Sequence, residues 1–339
     1  MRVAIVGTIQ TNRDRCGTLA DRYGDLIDEF VMADHLGFDR VWLAELQHAE
    51  DAHNAASVAL LTAVARQTER IRIANYLVTL AFQNPLTVAE DAALLDIVSN
   101  GRFDLGIGTG PMAGECAVFG IDRKRAAVRT FEALEIIERC WAGEPFVHSG
   151  EHFRFNEVAN MPEPVQPGGP RIYMAASGPK SVAQTVERGY QFCLALGPSH
   201  EQFVDALRAT GKDPNEVDFV SNPVAVLIAD SADQAWAEAD EGLREWLRFY
   251  HRRGAPFVPF VPEPGAMRHL PNFGFAGMPF AVGTQAQVAE QLRARYENAP
   301  VDELTIQFHH GAMRAHAVRK SVQQFAELLA DIARWGRPK

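Results

Sequence analysis

Apolar residues along this chain fall into short, nearly continuous runs, separated by stretches in which they recur every three or four positions. The run 2–7 (RVAIVG) reads as a strand covered on both faces, as parallel strands are. Behind it Leu26, Phe30, Ala33 and Leu36 keep helical spacing, and Gly37 closes the pattern as a helix C-terminal glycine does. The same alternation predicts strands at 40–43, 71–79, 103–107, 171–175, 191–195, 219–229 and 303–308. It predicts helices over 54–66, from an Asn84 cap and Pro85 through Ile97, along 128–141, and in a closing stretch from Val318 to Ile332.

Eight strands alternating with helices make a parallel sheet with helical cover, either closed as a (β/α)8 TIM barrel or open and doubly wound, and the count favours the barrel. Three stretches break the rhythm: 108–124, 144–170 with five prolines, and 251–282 with six. Connections of that length are usually functional or disordered, and in a barrel those that follow strands wall the pocket. Such a barrel takes about 250 residues, so the interruptions account for most of the surplus in a chain of 339. The expected organisation is one domain over 1–339 with insertions at 108–124, 144–170 and 251–282. The last of these carries Phe257, Phe260, Phe273, Phe275 and Phe280 and reads as an apolar lid.

Composition narrows the function classes. At 47% hydrophobic and 22% charged, the chain can build a core without disulfides or a structural metal. Its 33 Lys and Arg against 43 Asp and Glu give a net charge of -10, which removes any overall attraction for nucleic acid or anionic lipid. Cys16, Cys116, Cys140 and Cys193 stand far apart with no CxxC pair, and the N-terminal run has no cleavage site behind it. No apolar stretch reaches the roughly 20 residues of a membrane span. A cytoplasmic protein with no nucleic-acid or membrane partner is expected.

Two glycine-bearing segments follow strands. In GIGTGPMAG (106–114), Pro111 and the small residues after it delay the next helix to about Arg125, which argues against a dinucleotide fingerprint. The segment is either a place of close backbone approach to a ligand or a flexible connection. In AASGPKSV (175–182), Ser177, Gly178 and Ser181 would set hydroxyls and backbone N–H groups at the positive end of a helix, as phosphate sites do. Ordinary capping by Ser177 explains the same residues. His48 and His53 lie past strand two and His309 and His310 past strand eight, at spacings that make no metal set, so no metal is expected. His48, at the pocket end of its strand, is the candidate acid, base or hydrogen-bond donor, with a plain surface histidine as the alternative. The chain has no GxSxG, HExxH, P-loop or EF-hand pattern, which suggests that a cofactor carries the chemistry.

Longer stretches then agree together: FDRVWLAE (38–45), TERIRIANYLVTLAFQNPLTVAEDAALLDIVSNGRFDLGIGTG (68–110), GEHFRFN (150–156), PVQPGGPRIYMAASGPKS (164–181), VGTQAQVAEQL (282–292) and VDELTIQF (301–308). In this order, over nearly the whole chain, they resemble the bacterial luciferase-like flavin monooxygenases. The resemblance implies a (β/α)8 barrel, a homodimer, and reduced FMN bound at the C-terminal face. That FMN would come from a separate flavin reductase, with dioxygen and a small organic molecule as the other reactants. The resemblance also implies a non-proline cis peptide at Tyr76-Leu77 under the flavin ring, and phosphate contacts from Thr109 and Gly110 and from Ala176, Ser177, Gly178 and Ser181.

This chain departs from the family pattern twice. Luciferases have arginine where Thr109 stands, so part of the phosphate charge must be met otherwise. Family members often read E-H-H after the second strand, whereas this chain reads Glu45-Leu46-Gln47-His48. Either His48 serves catalysis from a shifted place or the luciferase chemistry is not used. Two alternatives therefore stand beside the monooxygenase: a deazaflavin-dependent oxidoreductase of the same superfamily, and a non-catalytic flavin-binding barrel or supporting subunit.

Overall fold

The computed structural model describes residues 1–10, 18–47, 56–109, 113–159, 162–176, 178–194, 198–255, 258–270, 279–311 and 313–336. The chain divides into two compact units, Met1–Ala55 with Phe219–Lys339, and Ala56–Asp218.

The first unit opens with β1 (Arg2–Gly7), α1 (Leu19–Leu36) and β2 (Arg40–Ala44). Helix α1 starts well before Leu26, where the apolar spacing sets in, because a capping box starts it: Asp21 N donates to Thr18 Oγ1 at 3.1 Å and Thr18 N donates to Asp21 Oδ2 at 3.0 Å. Gly37, left-handed at φ 98°, ends it as expected. The helix lies hard against the end of β1, where a Cβ on Gly7 would stand 2.5 Å from Phe30 Cζ.

The second unit runs α2 (Ser57–Gln67), β3 (Arg72–Tyr76), α3 (Pro85–Ser99), β4 (Phe103–Gly108), α4 (Ala113–Phe119) and α5 (Ala126–Trp141). An antiparallel hairpin of β5 (Phe146–Ser149) and β6 (Arg154–Val158) follows, then β7 (Arg171–Ala175), α6 (Pro179–Arg188), β8 (Gln191–Cys193) and α7 (Pro198–Ala209). Strands β3, β4, β7 and β8 lie side by side in that order, all parallel. As the sequence predicts, Asn84 caps α3, its Oδ1 accepting from Leu86 N at 2.9 Å, with Pro85 in the first turn.

The first unit resumes with β9 (Phe219–Val220), β10 (Val224–Ile228), α8 (Ala232–Arg252), β11 (Phe280–Gly283), α9 (Gln285–Tyr296), β12 (Glu303–Gln307), α10 (Ala315–Ala326) and α11 (Leu329–Ile332). Its strands stand in the order β2, β1, β12, β10, β11, with β9 also on β12, and all pairs are parallel.

Four expectations need correction. The helix expected only from about Arg125 is preceded by α4, which begins at Ala113. The predicted strand 219–229 is two strands, because the ladder is interrupted at 221–223. There Ser221 Oγ accepts from Thr305 N, and the Ser221 carbonyl accepts from Thr305 Oγ1, both at 2.9 Å. The predicted strand 71–79 ends at Tyr76. Phe280 is no part of a lid: it is fully buried in β11, opposite Ala225. Of the other lid phenylalanines, Phe260 is half exposed, while Phe257, Phe273 and Phe275 lie outside the described residues. The segment 258–270 lies along α8, where Arg244 Nε donates to the Pro262 carbonyl at 3.0 Å and Gly265 N to Asp240 Oδ2 at 3.1 Å.

Candidate functional site

Most of the sequence-predicted cofactor residues belong to the second unit, at the C-terminal ends of β3, β4 and β7. Beyond β3 the chain stays on β4 only through a detour. Ala74 is opposite Asp104, and the next bridge joins Val78 to Ile107, so four steps on one strand match three on the other. The extra residue falls where the Tyr76-Leu77 peptide bond is cis, as the resemblance implies. Val78 then rejoins β4, its N donating to the Gly106 carbonyl at 2.9 Å and its carbonyl accepting from Gly108 N at 3.0 Å.

Sequence reasoning missed the residue that bridges this detour. Asn75 is fully buried; its Nδ2 donates to the Gly106 carbonyl at 2.6 Å and its Oδ1 accepts from Gly106 N at 3.2 Å. One side-chain amide thus occupies both backbone groups of Gly106 where the strand backbone swings away. The signal was present, a lone amide within the apolar run IRIANYLVT, but nothing in its spacing distinguished it.

Thr109 follows β4 and is 7% exposed. Its Oγ1 donates to the Ala175 carbonyl at 3.2 Å, and its backbone N donates to the same oxygen at 3.4 Å, so the hydroxyl proton ties the ends of β4 and β7 together. Ala176, past β7, is buried. Gly178 stands at the start of α6 with φ 87°, a conformation that glycine adopts without strain. Among the described residues, its chain neighbours apart, no atom comes within 4 Å of where its Cβ would be and no side chain caps the helix. The first-turn N–H groups after Pro179, those of Lys180 and Ser181, have no acceptor within the helix and carry its positive end. A helix N-terminus with no side-chain cap among the described residues fits a phosphate. Gly110, Ser177, His48 and His53 lie outside the described residues.

In the first unit, the C-terminal ends of β1 and β12 hold a buried polar cluster. Arg22 Nη1 pairs with Glu29 Oε1 at 3.4 Å, and Arg22 Nη2 donates to the Thr8 carbonyl at 3.2 Å. Gln307 Nε2 donates to Thr8 Oγ1 at 3.4 Å and to the His309 carbonyl at 3.2 Å. Burial raises the Glu29 carboxyl above its ordinary pKa and lowers both imidazoles, His310 to about 3. Both histidines are therefore neutral near pH 7. Among the described residues, no group of three or more His, Cys, Asp or Glu could hold a metal ion, and no helix is long and apolar enough to cross a membrane.

The opposite strand ends carry ion pairs buried for structure. In the first unit Glu303 Oε1 accepts from Arg40 Nη1 at 3.0 Å and from Trp42 Nε1 at 2.8 Å. In the second, Arg72 Nε donates to Asp104 Oδ2 at 2.7 Å.

The profile of a family described as luciferase-like monooxygenase matches residues 3–303. The chain is 33% identical over 303 residues to the oxygenase component of a flavin-dependent trigonelline monooxygenase of Acinetobacter baylyi, covering 83% of this chain and 82% of that protein. It is 28% identical over 242 residues to an F420-dependent glucose-6-phosphate dehydrogenase of Amycolatopsis mediterranei, covering 67% of this chain and 71% of that one. The oxygenating constituent of 3,6-diketocamphane monooxygenase from Pseudomonas putida, solved with FMN, superposes with a TM-score of 0.79 at 20% identity, covering 100% of both chains. This likeness shows the fold, an α/β architecture with a closed parallel barrel of eight strands, as the strand count led one to expect.

Proposed function

The chain belongs to the luciferase-like monooxygenase family, whose relatives include FMN-dependent and F420-dependent oxidoreductases, and from that premise we propose that it is the oxygenase component of a two-component FMN-dependent monooxygenase. The observation that carries this reading is the 33% identity, over 83% of the chain, to a protein that is the oxygenase component of a flavin-dependent monooxygenase. Reduced FMN, delivered by a separate flavin reductase, supplies when bound the two electrons with which dioxygen gives one oxygen atom to a small organic substrate and the other to water.

The protein's own part is to bind, orient and exclude water. Tyr76 and Leu77 support the ring at the end of β3. The phosphate is received by Gly178, by the Lys180 and Ser181 N–H groups of α6, and by Ala176, Ser177 and Gly110. Thr109 is used differently from the arginine of luciferases: it locks β4 to β7 at Ala175 and leaves the phosphate charge to the helix end. His48 acts on the substrate as acid, base or hydrogen-bond donor, and the working protein is a homodimer.

Anaerobic titration with reduced FMN and with F420, followed by oxygen uptake with a flavin reductase, NADH, FMN and a panel of ketones, aldehydes, terpenes and sulfonates, tests this reading. Tight binding of FMNH2 and substrate-dependent product formation are expected; absence of product and of substrate-dependent uptake refutes it. His48→Ala should lower turnover by about 10²- to 10⁴-fold, the range of general acid–base catalysis, and unchanged turnover removes His48 from the chemistry. The second reading, an F420-dependent oxidoreductase, is supported by the 28% identity to the F420-dependent dehydrogenase. Preferential binding of F420 with hydride transfer under nitrogen would establish it instead.

A further inference from the structure

Helix α5 packs against the short turn that follows β3, at Leu80–Phe82, and carries two charged residues one turn apart, Arg129 and Glu132. Glu132 receives the turn of the β5–β6 hairpin: it accepts from His152 N and Phe153 N, each at 2.9 Å, and lies 3.1 Å from His148 Nε2. Arg129 grips the same turn, with its Nη1 3.4 Å from the His152 carbonyl and its guanidinium 4.2 Å from the Phe153 ring centroid. It also reaches elsewhere: its Nε donates to the Ala81 carbonyl at 2.9 Å. Ala81 is the middle residue of the 3-10 turn Leu80–Phe82, which follows Val78 directly after the site.

The consequence is a bracket. The segment leaving Leu77 is fixed to β4 at Val78 and to α5 at Ala81, three residues later. Phe82 extends the bracket, stacking on Phe119 at the end of α4 with ring centroids 4.4 Å apart. Leu80 and Ala81 are fully buried. With both ends tied, Leu77 has little freedom to move away from β4. With the Ala81 tie cut, a buried carbonyl loses its partner and the turn must shift to find another.

We infer that Arg129 is a positioning residue for the proposed flavin site: through the Ala81 carbonyl it fixes the Leu80–Phe82 turn, and through that turn the Tyr76 and Leu77 backbone on which the cofactor would rest. This rests on the FMN reading above. Among the described residues Glu132 docks the hairpin and makes no hydrogen bond to the Leu80–Phe82 turn, so the two residues separate hairpin docking from site positioning.

The test compares R129M, R129K and E132Q with the wild-type chain, using the dissociation constant for FMN and the visible circular dichroism of bound FMN, with a thermal melt to show folding. R129M should weaken FMN about tenfold and alter the flavin dichroism. R129K, whose ammonium can still reach the Ala81 carbonyl, should recover binding to within about threefold and restore the spectrum. E132Q should bind as the wild type does. Wild-type affinity and dichroism in R129M overturn the proposal alone, as does an E132Q defect equal to that of R129M. A wild-type chain that binds neither FMN nor F420 overturns the functional reading and this proposal with it. Should R129M not be recovered folded, R129Q takes its place under the same two criteria.

Discussion

His310 makes the stability of this protein depend on pH in a calculable way. It follows β12, is fully buried, and neither of its ring nitrogens has a hydrogen-bond partner among the described residues. Gly242 of α8 packs so closely that a Cβ there would lie 2.4 Å from the His310 carbonyl. Burial alone pulls the imidazole down to about 3, against about 6.5 in the unfolded chain. A folded-state pKa below the unfolded one means that the unfolded chain binds the proton first. The stability is therefore whole above pH 6.5 and is lost as pH falls toward 3. At about 1.4 kcal/mol per pH unit per group, moving from pH 7.5 to 5.5 removes about 1.4 kcal/mol through His310, because only the unit below 6.5 counts. His309 is shifted the same way, by burial first and then by the Arg22 charge, and adds to the slope. The perturbation is His310→Leu, which removes the titration and replaces a ring whose polar atoms are unmatched. A buried polar group without a partner costs about 1–3 kcal/mol, so the variant should be as stable as the wild type at pH 7.5 or more so. Urea unfolding followed by tryptophan fluorescence at both pH values reads the difference. The variant should lose about 1.4 kcal/mol less than the wild type on acidification. Equal losses in the two proteins, or a variant less stable at pH 7.5, would refute the reasoning.

Three further perturbations have expected outcomes. Asn75→Leu takes the acceptor from the Gly106 N–H, while the Gly106 carbonyl keeps Val78 N; it should cost about 1–3 kcal/mol for the one orphaned group, seen as a fall in the urea midpoint, and a loss below about 0.5 kcal/mol would show that the backbone closes the gap itself. Glu303→Gln breaks the buried pair with Arg40, so a loss of about 3–5 kcal/mol is expected, and a near-neutral result in the same assay counts against the pair as an anchor. Gly7→Ala places a methyl where Phe30 and Leu26 already stand, and overpacking of this kind costs about 1–3 kcal/mol; a melting temperature unchanged from wild type would show that α1 can back away.

The order of elements and the parallel pairing were readable because strands covered on both faces leave unbroken apolar runs. β1, β4 and β12 appear where those runs stand. The β5–β6 hairpin was not readable: most of its residues face solvent, and Glu132, which holds it, comes from an earlier helix. β11 was hidden at the end of a proline-rich stretch and reads as a strand only once β10 offers it an edge. At the site, Tyr76, Leu77, Thr109 and Ala176 were named through resemblance rather than periodicity, whereas Gly178 and Ser181 also stood out in the sequence as a candidate phosphate-binding helix start. Asn75 and Arg129 escaped for a shared physical reason: they bind backbone atoms, of Gly106 and Ala81, and a backbone partner has no side-chain identity for a sequence reading to match.

That reason extends to the two interrupted strands, where a polar side chain stands in for ladder bonds the backbone has left. Asn75 does so beside β4, and Ser221 does so between β9 and β10. The Ser221 splice gives the sharper test because it is reciprocal: Thr305 N donates to Ser221 Oγ, Thr305 Oγ1 donates to the Ser221 carbonyl, and the two hydroxyls lie 3.2 Å apart. Both residues are fully buried, so no water replaces a lost partner. Ser221→Ala should cost about 1–3 kcal/mol by orphaning the Thr305 N–H, and Thr305→Val a similar amount by taking its side-chain donor from the Ser221 carbonyl. If the two residues act as one splice, the double variant should cost less than the sum of the singles by about 0.5–3 kcal/mol, read from urea midpoints at one pH. Additivity within about 0.3 kcal/mol would mean that the hydroxyls act separately, and that the break at 221–223 is held by the strands on either side rather than by the side chains that span it.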